Sequence, residues 1–431
     1  MPTVILSTAR TPFGKLGGAL APLTATTLGS VALAAAIERS GVDPSDIEHV
    51  VFGEVLQAGV GQNPARQVVL KSGLAKTVTA DTVNKVCASG MLAVVNAMRS
   101  IDAGANVLIG AGGMESMSNA PYLLRDARSG YRFGDGTLVD AMIHDGLWDQ
   151  YFPMTMATQG SIVADELGLS REEQDAFAAQ SHQRAHDAHE AGRLSAEIVP
   201  VKVATKAKGK VVVDKLPSRG DVRGSGPVPS ERFTLDYDAY APFVTGDVPF
   251  ALVDRDEAVR GDSTVDTLAK LRPLEKNGTI TAGNAPGVND GAAAVIVADA
   301  AWAKAHGRTA LATIVDHVTV AWDSPYICMT PALAAQKLLD KHGLKHDQVH
   351  VWEINEAFSA VALTSSRKLG LAEGAINANG VAVAMGHPIG ASGARLIGAV
   401  VNQLRARGGG LGIASICSGG GQGDAVLIRV D

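Results

Sequence analysis

The sequence lacks the features that mark several common classes of protein. Only three of its 431 residues are cysteine, at positions 87, 328 and 417, and their wide separation does not match a structural zinc site or a disulfide scaffold. The net charge is −6 and no long basic run occurs, which argues against nucleic acid or an anionic membrane surface as partner. No stretch is typical of a membrane-spanning helix, and no basic segment precedes the apolar N-terminal run. We therefore expect a protein of a reducing compartment, the cytoplasm, without a membrane span.

Aromatic residues are also scarce, at 4%, whereas glycine is abundant at 48 residues. This balance predicts tight turns and close approaches between backbone segments, so a site lined by small side chains and backbone groups is expected. A chain of this length exceeds one ordinary hydrophobic core, which predicts two or three domains.

The most informative stretch, residues 83–91, has a cysteine just before an apolar helix. Residues 91–98 are apolar almost all round, so this helix should be buried with its N-terminal N–H groups directed at Cys87. Such groups, or a nearby imidazole, lower the pKa of a thiol and make it a nucleophile at neutral pH. The alternative is that Cys87 is a small buried hydrophobic residue, as free cysteines commonly are.

Strand and helix patterns alternate in two parts of the chain and predict an α/β fold. Residues 1–117 form the first part, in which a strand at 106–111 ends in a glycine-rich segment, and residues at about 251–272 complete it. The second part is residues 273–431. Between them, residues 118–250 carry more aromatic and charged side chains and are predicted to be an inserted domain.

The insertion contains one well-marked helix. It begins at a capping box at residues 170–173 and carries His182, His186 and His189. No carboxylates accompany these histidines in a metal-binding pattern, so we expect a solvated polar face and no metal site. Residues 205–250 are predicted to be a long surface excursion.

A faint repeat relates the two α/β parts. Residues 87–90 (CASG) precede an apolar helix, and residues 390–393 (GASG) precede another. The similarity suggests two related halves that face one another.

Polar candidates for a functional site lie at the ends of predicted strands, where α/β sheets place their ligands. Asn355 follows a strand at 349–354, His387 lies in a glycine-rich segment, and Cys417 opens the turn at 417–421 between the last two strands. Taken singly, each is more often structural: a helix cap, a satisfied histidine and a core residue.

Together these residues meet the needs of acyl transfer through a thiol. His387 has the intrinsic pKa to accept the proton of Cys87, and the glycines at 419–421 allow N–H groups to approach an oxyanion closely. A second thiol at Cys417 has no role in simple Cys–His hydrolysis. It would have one in deprotonating a carbon acid after an acyl-enzyme has formed.

Five motifs in this chain resemble those of the thiolases, in the same order. They are NKVCASG at 84–90, GGMESM at 112–117, NEAF at 355–358, GHPIGASG at 386–393 and CSGGG at 417–421. The resemblance covers essentially the whole chain. It implies two similar α/β halves in a five-layer αβαβα arrangement, an inserted loop domain that covers coenzyme A, and a homodimer or homotetramer.

The resemblance also implies a role for each motif residue. Cys87 would be the acylated nucleophile and His387 its activating base, while Asn355 would hold a water that binds the thioester oxygen together with His387. Cys417 would move the proton at the α-carbon or on the leaving thiol, and the N–H groups of Cys87 and Gly419 would bind the oxyanion. The expected contacts with coenzyme A are Leu147, Met156, Arg260 and Phe358.

Three departures from the short-chain biosynthetic pattern bear on substrate choice. Thr155 stands where such thiolases usually carry histidine, and Pro286 stands where they carry serine. Residues 159–161 (QGS) replace their usual Ala-Glu-Asn.

The function implied by the resemblance is acyl transfer between coenzyme A and a 3-ketoacyl-CoA, in lipid and fatty acid metabolism, without a metal or redox cofactor. Acetyl-CoA C-acetyltransferase is the expected activity, with a longer-chain 3-ketoacyl-CoA thiolase of β-oxidation as the first alternative. A decarboxylating ketoacyl synthase needs no second cysteine, so Cys417 argues against it. A non-catalytic CoA-binding scaffold would tolerate loss of Cys87 or His387, and both are present.

Overall fold

A computed structural model describes residues 2–205 and 250–431. The strands are β1 (Thr3–Arg10), β2 (Gly14–Lys15), β3 (His49–Gly53), β4 (Thr79–Val83), β5 (Leu108–Ser116), β6 (Tyr122–Leu123), β7 (Val139–Asp140), β8 (Trp148–Asp149), β9 (Met154–Thr155), β10 (Val201–Ala204), β11 (Phe250–Val253), β12 (Asn289–Asp299), β13 (Ala312–Ala321), β14 (Val351–Ile354), β15 (Gly410–Ser418) and β16 (Gln422–Val430). The helices are α1 (Ala25–Ser40), α2 (Pro64–Lys71), α3 (Ser89–Asp102), α4 (Met156–Glu166), α5 (Arg171–Glu190), α6 (Val265–Ala269), α7 (Ala300–Ala305), α8 (Thr330–His342), α9 (Ser359–Lys368), α10 (Ala382–Met385) and α11 (Ser392–Arg407). Most of the predicted excursion, residues 206–249, lies outside the described residues.

One large mixed sheet forms the centre of the molecule. Its strand order is β14-β15-β16-β13-β1-β12-β5-β3-β4, with β2 paired to β12. The pairs β3–β4, β3–β5 and β14–β15 are parallel and the others are antiparallel. The two halves of the sheet meet where β1 pairs with β13 through only three residues, Thr3 to Ile5.

Helices cover both halves of the sheet and also lie between them. On one side α1 packs on β5 and β12, and on the other side α8 packs on β15 and β16. In the middle, α3 contacts β5, α11 contacts β15, and the two helices contact each other. This arrangement confirms the predicted α/β fold class with two similar halves.

Glycines allow α3 and α11 to meet closely at their N-termini. A Cβ atom added at Gly90 would lie 2.8 Å from the carbonyl oxygen of Gly390, and one added at Gly393 would lie 2.4 Å from the backbone nitrogen of Met91. These approaches lie well inside ordinary contact distances, so side chains are excluded there. The CASG and GASG repeats are therefore the two sides of one helix crossing.

Local signals in the sequence locate several elements correctly. The predicted capping box is confirmed, because the Ser170 side chain accepts a hydrogen bond from the Glu173 N–H while the Glu173 side chain accepts one from the Ser170 N–H. Helix α8 has Pro331 in its first turn and ends before Gly343, which adopts φ 62°. No described helix is long and apolar enough to cross a membrane.

Three segments differ from the sequence-based expectation. Strand β5 continues through the glycine-rich residues 112–116, because each of them pairs with β12. Cys417 lies within β15, opposite Gly423, rather than in the turn. Strand β12 falls in the predicted C-terminal half, yet it pairs with β1 and β5 and so belongs to the first half of the sheet.

A buried arginine joins the insertion to the central sheet. Arg10, in β1, forms ion pairs of 2.7 Å with Asp256 and 3.0 Å with Glu197. All three side chains are almost inaccessible to solvent. Removing one partner would leave an uncompensated buried charge, so β1 is linked both to the insertion, through Glu197, and to the following segment, through Asp256.

Candidate active site

A cavity of about 300 Å³ opens where both halves of the sheet and the insertion meet. Its lining is largely apolar and includes four of the predicted catalytic residues, Cys87, His387, Cys417 and Gly419. Asn355 lies behind this wall, with its Nδ2 3.5 Å from Nε2 of His387. The cavity thus gathers residues from the beginning, the middle and the end of the chain.

Cys87 occupies the turn immediately before α3 and is 4% exposed. Burial raises its pKa to about 12, although the backbone N–H groups of Gly419 and of Cys87 itself act in the opposite direction. Backbone N–H groups thus lower this pKa as expected, but the expected net lowering is wrong for the free protein, because loss of solvation outweighs them. Cys87 is a neutral thiol until a base takes its proton.

His387 is held as a neutral imidazole. Burial lowers its pKa to about 4. Its Nδ1 lies 2.7 Å from Oγ of Ser392, and that hydroxyl donates to the carbonyl of Pro388 at 3.0 Å. The hydroxyl must therefore accept from Nδ1, which leaves Nε2 as the unprotonated nitrogen. A neutral imidazole with a free Nε2 is competent to accept a proton.

The second thiol lies within electrostatic range of the first. Cys417 is 1% exposed, and burial raises its pKa well above the ordinary value, with Cys87 and Cys328 raising it further. Two residues further along the chain, Gly419 donates its N–H toward the sulfur of Cys87. A Cβ atom at Gly419 would lie 2.6 Å from Cε of Met156, so a larger residue there would require this flexible side chain to move.

The geometry is that of a thiol-based acyl-transfer site, and comparison with known proteins assigns its family. Residues 3–220 and 242–301 match the thiolase N-terminal domain. Residues 308–430 match the thiolase C-terminal domain. The chain belongs to the thiolase family. The resemblance inferred from the five motifs is thereby confirmed.

Individual relatives of this thiolase align along its full length. It is 42% identical over 427 residues to acetyl-CoA acetyltransferase of Cupriavidus necator, with 99% of this chain and 98% of the relative covered. It is 42% identical over 428 residues to acetyl-CoA acetyltransferase of Escherichia coli K12, with 99% and 98% covered. Acetyl-CoA acetyltransferase 2 of Arabidopsis thaliana is 41% identical over 428 residues, with 99% and 96% covered.

The predicted coenzyme A contacts of this thiolase do not all reach the cavity. Leu147, Met156 and Phe358 line it. Arg260 is exposed and lies outside the lining, and its backbone N–H donates to Nδ1 of His182 at 3.2 Å. Three of the four residues therefore share a wall with Cys87, and their roles stay predictions.

A buried glutamate that was not among the predicted site residues supports the histidine segment. Glu115 accepts hydrogen bonds from the N–H groups of Val55, Leu56 and Gly390, at 3.1, 3.1 and 2.9 Å. Burial raises its pKa to about 7. Its side chain thus ties the segment that carries His387 to the ends of β3 and β5. The sequence feature that could have identified Glu115 is its acidic side chain within a strand of otherwise small and mostly apolar residues.

The histidines of α5 do not form the solvated polar face expected from the sequence, because His182 is buried, His186 and His189 are partly buried, and each has a partner in the fold. His182 accepts from Arg260, and burial lowers its pKa to about 4. His189 lies 3.0 Å from Asp256, and His186 packs against Gly261. Among the described residues, no group of three or more His, Cys, Asp or Glu side chains is arranged to hold a metal ion.

The substrate-side departures also lie in the cavity wall. Thr155 and Pro286 both line it, together with Glu275. The hydroxyl of Thr155 donates to Glu275 at 3.1 Å. In place of the usual histidine and serine, this wall therefore presents a threonine–carboxylate pair and a proline ring.

Proposed function

We propose that this thiolase is an acetyl-CoA C-acetyltransferase, which joins two molecules of acetyl-CoA to acetoacetyl-CoA and runs the reverse thiolysis. The observation that carries the proposal is a single cavity lined by two thiols, a neutral imidazole and a backbone N–H directed at the first thiol. Full-length relatives named acetyl-CoA acetyltransferase support the choice of the acetyl group.

The first half-reaction forms an acetyl-enzyme. Cys87 transfers its proton to Nε2 of His387, and the thiolate attacks the carbonyl carbon of acetyl-CoA. The N–H groups of Cys87 and Gly419 stabilise the oxyanion of the tetrahedral intermediate. When the carbon–sulfur bond to coenzyme A breaks, the leaving thiolate takes the proton of Cys417. The products are free coenzyme A, acetylated Cys87, protonated His387 and the thiolate of Cys417.

The second half-reaction forms the carbon–carbon bond. The Cys417 thiolate removes an α-proton from a second acetyl-CoA, and the resulting carbanion attacks the acetyl group on Cys87. Breakdown of the intermediate releases acetoacetyl-CoA and the Cys87 thiolate, which recovers its proton from His387. Asn355, adjacent to His387, holds the water that binds the thioester oxygen of the incoming acetyl-CoA together with the imidazole. Every proton is returned, so the protein ends as it began.

The proposal extends to the setting of the enzyme. Thiolase chemistry of this kind uses only the thiols and the imidazole, so we propose that no metal or redox cofactor takes part. We also propose a cytoplasmic homodimer or homotetramer that acts in lipid and fatty acid metabolism. Sedimentation of the purified enzyme tests the assembly, and a monomer at micromolar concentration would contradict it.

Chain-length kinetics decide between the acetyl-specific enzyme and the longer-chain alternative. We expect kcat/KM for thiolysis to be highest with acetoacetyl-CoA and to fall with each longer 3-ketoacyl-CoA. Condensation of acetyl-CoA alone should also yield acetoacetyl-CoA. Faster cleavage of eight- or ten-carbon substrates would instead assign the protein to degradation of longer fatty acids, and the apolar lining around Pro286 would be the reason.

A further inference from the structure

The turn that carries the proposed nucleophile is held in a strained conformation. Val86, immediately before Cys87, has φ +46°. This left-handed region is unfavourable for a β-branched residue, and such strain persists only where the surrounding structure imposes it. Contacts that hold this turn therefore determine where the sulfur of Cys87 lies.

One of these contacts is a largely buried ion pair formed by Lys85, next to Val86. Nζ of Lys85 lies 2.8 Å from Oδ1 of Asp424, and the two side chains are 12% and 5% exposed. The hydroxyl of Thr319 donates to the same carboxylate oxygen at 2.6 Å and accepts from Lys85 at 3.3 Å. Charge-assisted bonds at such low exposure are strong and directional.

This ion pair joins the nucleophile turn to the hairpin that carries the second thiol. Asp424 lies in β16, one residue beyond Gly423, which is the pairing partner of Cys417. In addition, the hydroxyl of Ser418 donates to the backbone carbonyl of Lys85. The two thiols come from opposite ends of the chain, and these contacts bridge their supporting segments directly.

The position of His387 is determined by different contacts. Its segment is bound by Glu115 through the N–H of Gly390, and its backbone N–H donates to Oδ1 of Asn289 at 2.9 Å. Neither contact involves Lys85 or Asp424. Moving the hairpin away from the turn would thus change the spacing of the two thiols while the support of His387 stays in place.

We propose that Lys85 and Asp424 are positioning residues that set the spacing between Cys87 and Cys417. The proposal rests on the roles of the two thiols given under the proposed function. Acetylation of Cys87 depends first on His387 and uses the hairpin only for the N–H of Gly419 and the proton of Cys417, whereas α-proton removal and condensation depend entirely on the Cys417 thiolate beside the acetyl group. Loss of the ion pair should therefore impair the second half-reaction more than the first.

The test compares two rates in one enzyme preparation. The first is acetylation of Cys87 by acetyl-CoA, followed by rapid-quench mass spectrometry, and the second is exchange of the acetyl-CoA methyl protons with deuterated water. Their ratio does not depend on how much of a variant is folded. We expect Lys85→Met and Asp424→Asn each to lower the ratio of exchange to acetylation by about 100-fold, the cost of a displacement of about 1 Å.

Three further variants separate positioning from other effects. Lys85→Arg keeps a cation for Asp424 and should retain most of the wild-type ratio. The double variant Lys85→Met/Asp424→Asn should lower the ratio no further than either single variant, because the two residues act as a pair. As a matched control, Lys341→Met removes a 2.6 Å ion pair with Asp316 elsewhere in the same half of the sheet and should leave the ratio unchanged.

Each contrary outcome has a distinct meaning. Equal slowing of acetylation and exchange, or additive effects in the double variant, would overturn the positioning role and leave the proposed function intact. A lower ratio of exchange to acetylation in Lys85→Met but not in Asp424→Asn would also overturn the positioning role, because the lysine charge would then act without its partner. Absence of exchange in the wild-type enzyme would reject the role of Cys417 and the positioning role with it.

Discussion

The close crossing of α3 and α11 gives a quantitative test of how the fold supports the site. In Gly90→Ala, the new Cβ would lie 2.8 Å from the carbonyl oxygen of Gly390 and 3.0 Å from the backbone nitrogen of Ala394. Both neighbours are backbone atoms, which have no rotamer to change. Reaching ordinary contact at 3.4 Å requires the start of α11 to move by about 0.6 Å.

That movement has consequences for stability and for catalysis. Overpacking of this kind typically costs about 1–3 kcal/mol, which is partly offset by the roughly 0.5–1 kcal/mol that alanine gains over glycine within a helix. The segment from His387 to Gly390 leads directly into α11, so the base should be displaced relative to Cys87. Since about 1 Å of misplacement can cost about 100-fold in rate, we expect acetylation to slow by about tenfold.

Gly398→Ala is the matched control for this experiment. It makes the same change within α11, but the added Cβ would meet the Thr8 side chain at 3.3 Å, with no backbone atom of another element as near. Urea unfolding and rapid-quench acetylation should therefore separate the two variants. If Gly90→Ala proved as stable and as reactive as Gly398→Ala, the crossing would not position His387, and the argument from close packing would fail.

The catalytic groups themselves give four other predictions. Cys87→Ala should abolish condensation and thiolysis, and in the wild-type enzyme the acetyl group should be found on Cys87; its recovery on Cys328 or Cys417 would reject the assignment. Cys417→Ala should still acetylate Cys87, because the coenzyme A thiolate can leave and take its proton from water, but it should lose condensation and methyl-proton exchange; near-normal exchange would make Cys417 a packing residue. The pKa of His387 is lowered from 6.5 to about 4 in the folded protein. Between these two pH values the unfolded chain binds a proton that the folded protein does not. The contribution of neutral His387 to the free energy of unfolding, complete above pH 6.5, should therefore be lost as the pH falls toward 4. In urea titrations, the free energy of unfolding should fall less steeply with decreasing pH in His387→Gln than in the wild type, and an unchanged slope would contradict the assigned burial effect. Acetylation of Cys87 in the same variant should be about 100- to 10,000-fold slower. Turnover should survive EDTA and dialysis, and a loss restored by zinc would require a metal in the mechanism.

Much of this protein is determined by signals that lie close together in the sequence. The capping box at Ser170 and the stop at Gly343 locate helix ends because their hydrogen bonds and backbone geometry involve only neighbouring residues. Alternation of strands and helices is enough to predict the fold class. The motifs around Cys87, His387 and Cys417 likewise carry their chemistry in short stretches, so the amino-acid sequence alone is enough to infer the family.

Other properties depend on residues that only the folded chain brings together. The direction of the pKa shift of Cys87 follows from burial by three parts of the molecule, and the adjacent helix alone suggests the opposite sign. The prediction for strand β12 placed it in the wrong half, because its apolar sequence does not reveal which strands it pairs with. Lys85 and Asp424 are 339 positions apart, and each looks like an ordinary surface charge in sequence. Pairing and desolvation are properties of packing, and packing is decided by the tertiary structure.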